Sequence, residues 1–168
     1  MTAQRQERYR RRPGIAFIAL LAALVAPAGR DRVAWAATTE RLVVNRYSGL
    51  AIEGYDPVAY FTDARAVRGG ANYEAAAAGA VWRFRNASNR AAFVAHPEIY
   101  GPQFGGYDPV DLARGVTFAG NPQFWVVAGG RLYLFGREEH RDAFAADSAR
   151  FLDEAMARWP SLQEGLAQ

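Results

Sequence analysis

One short motif occurs twice in this chain, and the repeat limits the possible folds more than any other feature. Gly54-Tyr55-Asp56-Pro57-Val58 returns 52 positions later as Gly106-Tyr107-Asp108-Pro109-Val110. Aromatic and turn residues that follow each motif also recur in the same order. Self-similarity at a fixed spacing is typical of duplicated structural units. The sequence therefore predicts two copies of one small unit, over residues 50–104 and 105–160.

Each copy has the pattern of a short helix, a β-hairpin and a closing helix. An Asp followed by Pro is a typical helix N-cap with proline at the first helical position, which predicts short helices after Asp56 and Asp108. Gly129-Gly130 is a two-residue hairpin turn, and Gly79 is its weaker counterpart. The strands are predicted at 73–78, 80–85, 124–128 and 131–135, and the closing helices at 88–95 and 138–146.

The predicted fold class is α+β, with two tandem small units packed on a shared core. A unit of about 50 residues buries too little surface to be stable alone, which is why we expect the units to share their interior. The last helix is expected to begin at Ser148 and to stop at Pro160. Residues 37–49 are predicted to be an extended lead-in and residues 161–168 a loose tail.

The first 36 residues have the pattern of a signal peptide. Arg8 and Arg10-Arg11-Arg12 precede an apolar run from Ile15 to Ala28, and Ala34-Trp35-Ala36 has the small-x-small form of a cleavage site. The apolar run is shorter than the roughly 20 residues that a membrane-spanning helix needs. We therefore expect a periplasmic or secreted protein without a permanent membrane anchor, with a rival cleavage site after Ala28. The export route, Sec or twin-arginine, stays open.

Charge and composition exclude several classes of function. The segment 1–36 holds seven Arg and two acidic residues, a charge of +5. The whole chain has a charge of +3, so residues 37–168 carry −2. Nucleic-acid binding needs a basic surface, and we exclude it. All basic residues are Arg and the chain has no Cys, which excludes lysine Schiff bases, thiol catalysis and disulfides.

The repeated residues resemble the YHS-domain family, in particular an exported bacterial group with two such units. The likeness runs from about Leu50 to Trp159. It consists of Asp56-Pro57-Val58 and Asp108-Pro109-Val110, the strands with Trp82-Arg83-Phe84 and Tyr133-Leu134-Phe135, and the endings with Phe93, Pro97-Glu98-Ile99-Tyr100, Phe144 and Ser148-Ala149-Arg150-Phe151. The resemblance implies two YHS-like units and directs attention to the positions where metal-binding relatives carry Cys.

Those positions hold no thiol in this chain. The first copy has Ala59, Arg85 and Asn89 there, a set that suits no soft metal ion. The second has Asp111, Gly136 and His140, which leaves a carboxylate and an imidazole for weak binding of Cu or Zn. Some relatives also carry Cys or selenocysteine at the position of Asp108, so their redox chemistry is excluded here.

Each candidate residue also has a structural interpretation. His140 is expected on the helix surface, His96 at a helix end, and the Asp56 and Asp108 side chains in caps rather than as an acid–base pair. Six aromatic residues are expected to form the shared core, with an apolar ligand pocket as the alternative: Phe84, Phe93, Phe135, Phe144, Trp82 and Trp125. The candidate ligand-binding residues are Tyr55, Asp56, Tyr107, Asp108, Trp82 and Tyr133, and the candidate metal ligands are Asp111 and His140.

From these patterns we expect an exported, non-catalytic binding module for a small molecule or a periplasmic protein partner. No cofactor is predicted beyond weakly bound Cu or Zn. An enzyme is not expected, because no nucleophile, base and orienting group occur at a recognisable spacing. The alternative is a metal-handling protein that uses Asp111 and His140, and the distance between these two side chains decides between the alternatives.

Overall fold

Two antiparallel β-hairpins, each followed by helices, form the protein between residues 41 and 166, the residues that the computed structural model describes. The predicted mixed α+β class is confirmed, with six α-helices and four strands in this range. In chain order they are α1 (Ala59–Thr62), β1 (Gly70–Ala77), β2 (Ala80–Phe84), α2 (Ala87–Ala95), α3 (Pro97–Tyr100), α4 (Pro109–Leu112), β3 (Asn121–Ala128), β4 (Arg131–Phe135), α5 (Glu138–Ala146) and α6 (Ser148–Leu166).

The two hairpins share one register pattern. The pairing of β1 with β2 is interrupted after Gly70, and that of β3 with β4 is interrupted at the corresponding point after Asn121. Both hairpins turn through two residues in the left-handed conformation, Ala78-Gly79 and Gly129-Gly130, with φ between +51° and +77°. Turns with two positive φ angles match the twist of the strands that they join. The same local geometry therefore occurs twice.

The predicted cap is present at α4, where Asp108 is the N-cap, whereas Asp56 caps the turn Pro57-Val58 that precedes α1. Asp56 Oδ1 accepts the backbone N–H of Val58 at 2.9 Å, and Asp108 Oδ1 accepts that of Val110 at 2.8 Å. Each aspartate also donates its own backbone N–H to the loop that leads into the following hairpin. These bonds hold the motif, the loop and the hairpin of each half together.

Strand β4 contributes to two clusters of buried side chains. Leu132 and Leu134 belong to a cluster with Trp82 and other residues of the first half, whereas Tyr133 and Phe135 belong to a second cluster. Successive side chains of a strand point to opposite faces, so one strand can serve both. The first cluster therefore joins side chains from both halves of the chain.

The closing helices cover the hairpins with equivalent aromatic contacts. The ring of Phe93 in α2 lies 4.7 Å from that of Trp82 and 5.2 Å from that of Phe84. The ring of Phe144 in α5 lies 5.2 Å and 5.1 Å from the rings of the corresponding β4 residues. Aromatic pairs at this spacing contribute about 0.5–1.5 kcal/mol beyond the area that they bury. Helix α5 has its predicted bounds, and α2 begins one residue earlier than predicted.

The last helix does not end at Pro160, and the prediction that it would is wrong. Helix α6 continues through this proline to Leu166. A proline has no N–H, so the carbonyl of Met156 four residues earlier loses its helical donor. Met156 is 55% exposed, which allows water to replace that donor. Residues 161–166 are therefore helical rather than a loose tail.

The chain before Leu50 is only partly described. In the described part of the predicted lead-in, Asn45 Oδ1 accepts the N–H groups of Tyr47 and Ser48, which makes a turn rather than a fully extended segment. The predicted signal peptide over 1–36 lies outside the described residues. From residue 41 to residue 166, no helix combines the length and the apolar character needed to cross a membrane.

Candidate functional site

Asp108 is the acceptor around which the candidate site is built. Its carboxylate is fully buried at the start of α4. Oδ1 accepts the N–H of Val110 at 2.8 Å and that of Asp111 at 3.4 Å, and Oδ2 accepts the N–H of Gly136 at 2.8 Å, just after β4. A buried carboxylate is stable only when its oxygens accept hydrogen bonds. The three backbone donors meet that requirement and link α4 to the end of the second hairpin.

His140 supplies a further contact to this carboxylate. Its Nδ1 lies 2.7 Å from Asp108 Oδ2, and an ionised carboxylate can only accept, so Nδ1–H donates. The residue is 6% exposed, and the expectation of a helix-surface histidine is wrong. His140 lies four residues before Phe144 in α5, and residues at this spacing share a helix face. The packing of Phe144 into the second cluster therefore turns His140 inward as well.

Asp111 is the third member of the site and has the least satisfied side chain. Its Oδ2 lies 3.7 Å from His140 Nδ1. Among residues 41–166, this oxygen is the buried side-chain atom that has no hydrogen-bond partner. Guanidinium groups of Arg137 and Arg114 lie 3.7 Å and 3.8 Å from the two Asp111 oxygens, too far for hydrogen bonds. Asp111 is therefore a buried carboxylate with nearby positive charge and an open acceptor.

Asp108, Asp111 and His140 have the composition and spacing of a metal-ligand group. One ligand atom from each residue lies within 4.8 Å of the others. Two ligands of a tetrahedral ion, each about 2.1 Å from the metal, are about 3.4 Å apart. The separation of 3.7 Å between Asp111 Oδ2 and His140 Nδ1 fits a shared ion. To bind one, Nδ1 has to release the proton that it donates to Asp108, and this 2.7 Å contact has to open slightly.

The equivalent positions of the first half form a complete hydrogen-bond network without a third ligand. Asp56 is fully buried, and its Oδ2 accepts Asn89 Nδ2 at 2.7 Å and the N–H of Arg85 at 2.8 Å. Asn89 stands at the position of His140, and its amide nitrogen has the place of imidazole Nδ1. Ala59 stands at the position of Asp111. The first half therefore keeps the carboxylate and its donors but has no metal-ligand group.

Asp56 and Asp108 do not form the paired carboxylates considered from the sequence. Each is bound by donors from its own half of the chain, two of them from the helix that it caps. Their side chains are therefore committed to local structure, as the capping interpretation expects.

The other predicted ligand-binding residues are distributed over several environments. Tyr55 is buried, and its hydroxyl accepts Gln123 Nε2 at 3.1 Å. Tyr133 lies in the second cluster, where burial raises its pKa. The ring of Tyr107 packs 5.9 Å from that of Trp159. These three tyrosines serve packing in the structure and do not converge on one site.

Two of the predicted ligand residues line cavities: Tyr107 lines one of about 530 Å³, and Trp82 lines another. The cavity beside Trp82 measures about 250 Å³, and its walls include Trp82, Phe93 and Arg41. The indole N–H of Trp82 donates to the carbonyl of Ala77 at 3.0 Å, which fixes the ring against the hairpin. Five of the six aromatic residues considered for a core or a pocket are buried, and the sixth, Trp125, is partly buried. Both interpretations therefore hold in part.

No protein-family model matches this chain, and neither a curated protein nor a solved structure does. The assignment of the site therefore depends on its own geometry.

Sequence reasoning did not find the bond between Asp108 and His140, nor the two arginines beside Asp111. The repeat contained a signal for the first, because Asn89 and His140 occupy equivalent positions and both carry a nitrogen donor. The arginines gave no such signal, since Arg114 and Arg137 occupy positions without a charged counterpart in the first half. His96, the other histidine, pairs with Glu98 at 3.4 Å on the surface.

Proposed function

We propose that this protein is an exported, non-catalytic module of the YHS-domain kind that binds a divalent metal ion at Asp108, Asp111 and His140. The observation that carries the proposal is Asp111 Oδ2, a buried oxygen without a hydrogen bond, 3.7 Å from His140 Nδ1. A buried carboxylate oxygen without a hydrogen bond is unfavourable, and a bound cation would offset that cost. This separation favours the metal-handling alternative over an unassigned ligand.

The donor set narrows the choice of ion. One imidazole and two carboxylates suit Zn²⁺ and Cu²⁺, whereas Cu⁺ prefers the thiolates that this chain lacks. Three protein ligands leave at least one position for water, unlike the four ligands of a closed structural zinc site. We therefore expect weak, exchangeable binding of Zn²⁺ or Cu²⁺.

Arg114 and Arg137 oppose cation binding at this site. Both guanidinium groups lie within 4 Å of Asp111 oxygens, and both side chains are more than half exposed. Positive charge at this distance lowers the affinity for a second cation. Replacing Arg137 by Gln removes one of these charges and is expected to tighten metal binding.

The proposal includes an assignment of the two halves. Residues 50–104 and 105–160 are two tandem YHS-like units on a shared core, and the metal site is in the second. The assignment is supported by the repeated register of the hairpins, the two equivalent aspartate caps and the cluster that joins both halves. A YHS-domain protein with thiols at the positions equivalent to Ala59, Arg85 and Asn89, but with a fold unlike this one, would contradict the assignment.

The proposal also includes export, through a signal peptide over residues 1–36 and a periplasmic location. N-terminal sequencing of the protein from a periplasmic fraction is expected to give Ala37 as the first residue. A full-length chain that stays in the cytoplasmic fraction would show that the segment is not a signal peptide.

Calorimetric titration with Zn²⁺ and Cu²⁺ tests the metal site. In the double variant Asp111→Ala, His140→Asn, the site has the residues of the first half, Ala59 and Asn89. The variant is therefore expected to fold, because the first half folds with these residues. We expect the affinity for the metal ion to fall at least about tenfold, because changes around a bound metal typically cost this much. The free energy of unfolding should stay within about 1 kcal/mol of the parent.

Two further variants make the titration selective. His96→Asn removes the exposed histidine and is expected to leave the affinity unchanged. Arg137→Gln is expected to increase it, because a competing charge is lost. Equal affinity in the parent and the double variant, or loss of binding in His96→Asn, would refute the site.

A further inference from the structure

The two halves differ in sequence at the cavity beside Trp82. Gly101 occupies the position equivalent to Leu152, and Leu152 packs on the second cluster. Gly101 lines the cavity instead, together with Trp82 and Phe93. Both halves therefore have an equivalent aromatic pair, but Leu152 packs on the cluster of the second half, whereas Gly101 adds no side chain in the first.

The size of the cavity limits what it can hold. Its volume is about 250 Å³. An apolar cavity of about 150 Å³ is enough for benzene, and pockets for drug-sized ligands begin at about 300 Å³. The remaining walls are almost entirely apolar: Leu42, Ala77, Ala78, Pro97, Pro102 and Gly105. A single ring with a short substituent, or a branched aliphatic chain of the size of leucine, matches this space.

One wall is held in place by a close approach of two backbone segments. Gly105 has φ +63°, and a Cβ there would overlap the backbone oxygen of Arg41. The N–H of Val43 donates to the carbonyl of Gly105 at 2.8 Å. This contact sets Leu42, which is 7% exposed, into the cavity wall and fixes the backbone of Arg41 beside it.

Arg41 is the single ionisable residue in the lining. It has no ion-pair partner among residues 41–166, whereas most other arginines that the structure describes have a carboxylate or carbonyl nearby. The residue is exposed, so its flexible side chain can reach the mouth of the cavity, where a guanidinium group can bind a carboxylate with two parallel hydrogen bonds.

We propose that this cavity binds a small monocarboxylic acid whose apolar body is one ring or a branched chain. The body lies against Trp82 and Phe93, and the carboxylate lies at Arg41. The inference goes beyond the metal site and does not depend on it, because the two sites share no residue.

Nuclear magnetic resonance titration of the full chain tests the proposal. The indole N–H signal of Trp82, identified by its loss in Trp82→Phe, reports on the cavity directly. Phenylacetate and 4-methylpentanoate are expected to shift this signal saturably. The neutral probe phenylacetamide is expected to bind about three- to fivefold more weakly, the effect of one exposed ion pair.

Three variants locate the ligand. Arg41 is exposed, so Arg41→Gln leaves the apolar walls intact. This variant is expected to abolish the difference in affinity between acid and amide. Ala77→Leu fills the cavity and is expected to abolish binding of both, whereas Ala128→Leu places the same change at the equivalent point of the second hairpin and leaves binding intact. The proposal is overturned if neither acid shifts the Trp82 signal saturably, if acid and amide bind the parent equally, or if Ala77→Leu binds normally.

Discussion

Each half of the chain buries one aspartate, and the side chain that donates a hydrogen bond to it differs between the halves. The comparison separates structural residues from candidate functional ones. Asp56 and Asp108 are both fully buried, both accept the backbone N–H two residues later, and both accept a backbone N–H at the end of a hairpin. The last donor is an amide in the first half, Asn89, and an imidazole in the second, His140. The capping carboxylate is therefore part of the scaffold, because both halves need it.

The two halves also differ beside the candidate metal site and beside the cavity. The first half has Ala59 where the second has Asp111, and Oδ2 of the buried Asp111 carboxylate accepts no hydrogen bond. The reverse difference occurs at the closing helices, where the first half has Gly101 and the second has Leu152. One half thus keeps a group of possible metal ligands, and the other keeps an open apolar cavity.

The equivalence of the caps is tested most strongly by removing each carboxylate. Asp56→Ala and Asp108→Ala both leave several buried N–H groups without an acceptor, and each such group costs about 1–3 kcal/mol. We expect the free energy of unfolding, measured with urea, to fall by at least about 3 kcal/mol in both variants. Asp153→Ala, on the exposed side of α6, is the control and should stay within about 0.5 kcal/mol.

A large loss in one cap variant and a loss below about 1 kcal/mol in the other would contradict the equivalence of the two caps.

A smaller effect is expected at Tyr60, whose counterpart in the second half is Leu112. The Tyr60 hydroxyl donates to the carbonyl of Pro122 at 2.8 Å. Tyr60→Phe removes this buried bond and should lower the free energy of unfolding by about 1 kcal/mol. An unchanged stability would mean that the carbonyl of Pro122 finds another donor.

Tyr60 also predicts a dependence of stability on alkaline pH. Burial, followed by the nearby charges of Tyr55, Asp56 and Glu53, raises its pKa above the ordinary value of 10.0. The unfolded chain therefore releases this proton at lower pH than the folded protein, so stability is complete below pH 10.0 and falls as pH rises above it. Urea denaturation between about pH 9 and pH 11 should show a shallower decline in Tyr60→Phe than in the parent.

The smallest effect is expected at the hairpin turns. Gly129 has φ +58°, and a Cβ there meets no neighbouring atom, so Gly129→Ala tests the backbone alone. We expect a loss of about 1 kcal/mol. Ala78 has φ +51° in the first turn, and Ala78→Gly should change stability by less than about 0.5 kcal/mol, because relief of the left-handed conformation is offset by a more flexible unfolded chain. Thermal denaturation of both variants measures the difference.

Local rules explain why much of the fold was predictable. Asp before Pro marked both caps, Gly129-Gly130 marked a hairpin, and the spacing of Phe144 marked α5. Each of these features depends on residues within a few positions of one another. The end of α6 was mispredicted because Pro160 is tolerated where water can reach the carbonyl that it leaves free, and that exposure is not written in the local sequence.

The site was predictable only as a set of residue types. Asp111 and His140 were recognised through the repeat and through the family resemblance. Their distance was not, because it depends on how the β3–β4 hairpin returns the chain to α4. The burial of His140 was mispredicted for a related reason: Glu138, Glu139 and Arg141 surround it in sequence, and the inward face of α5 is selected by the packing of Phe144.

The amino-acid sequence was enough to establish the repeated motif and the absence of thiols, and to predict the cap at Asp108 and the hairpin turns, since these follow from residue identity and short-range spacing. Long-range packing placed a third group, Asp111, beside the Asp108–His140 pair and left a cavity beside Trp82. Contacts of this kind join residues that are far apart in the chain, and their distances follow from how hairpins and helices bury one another.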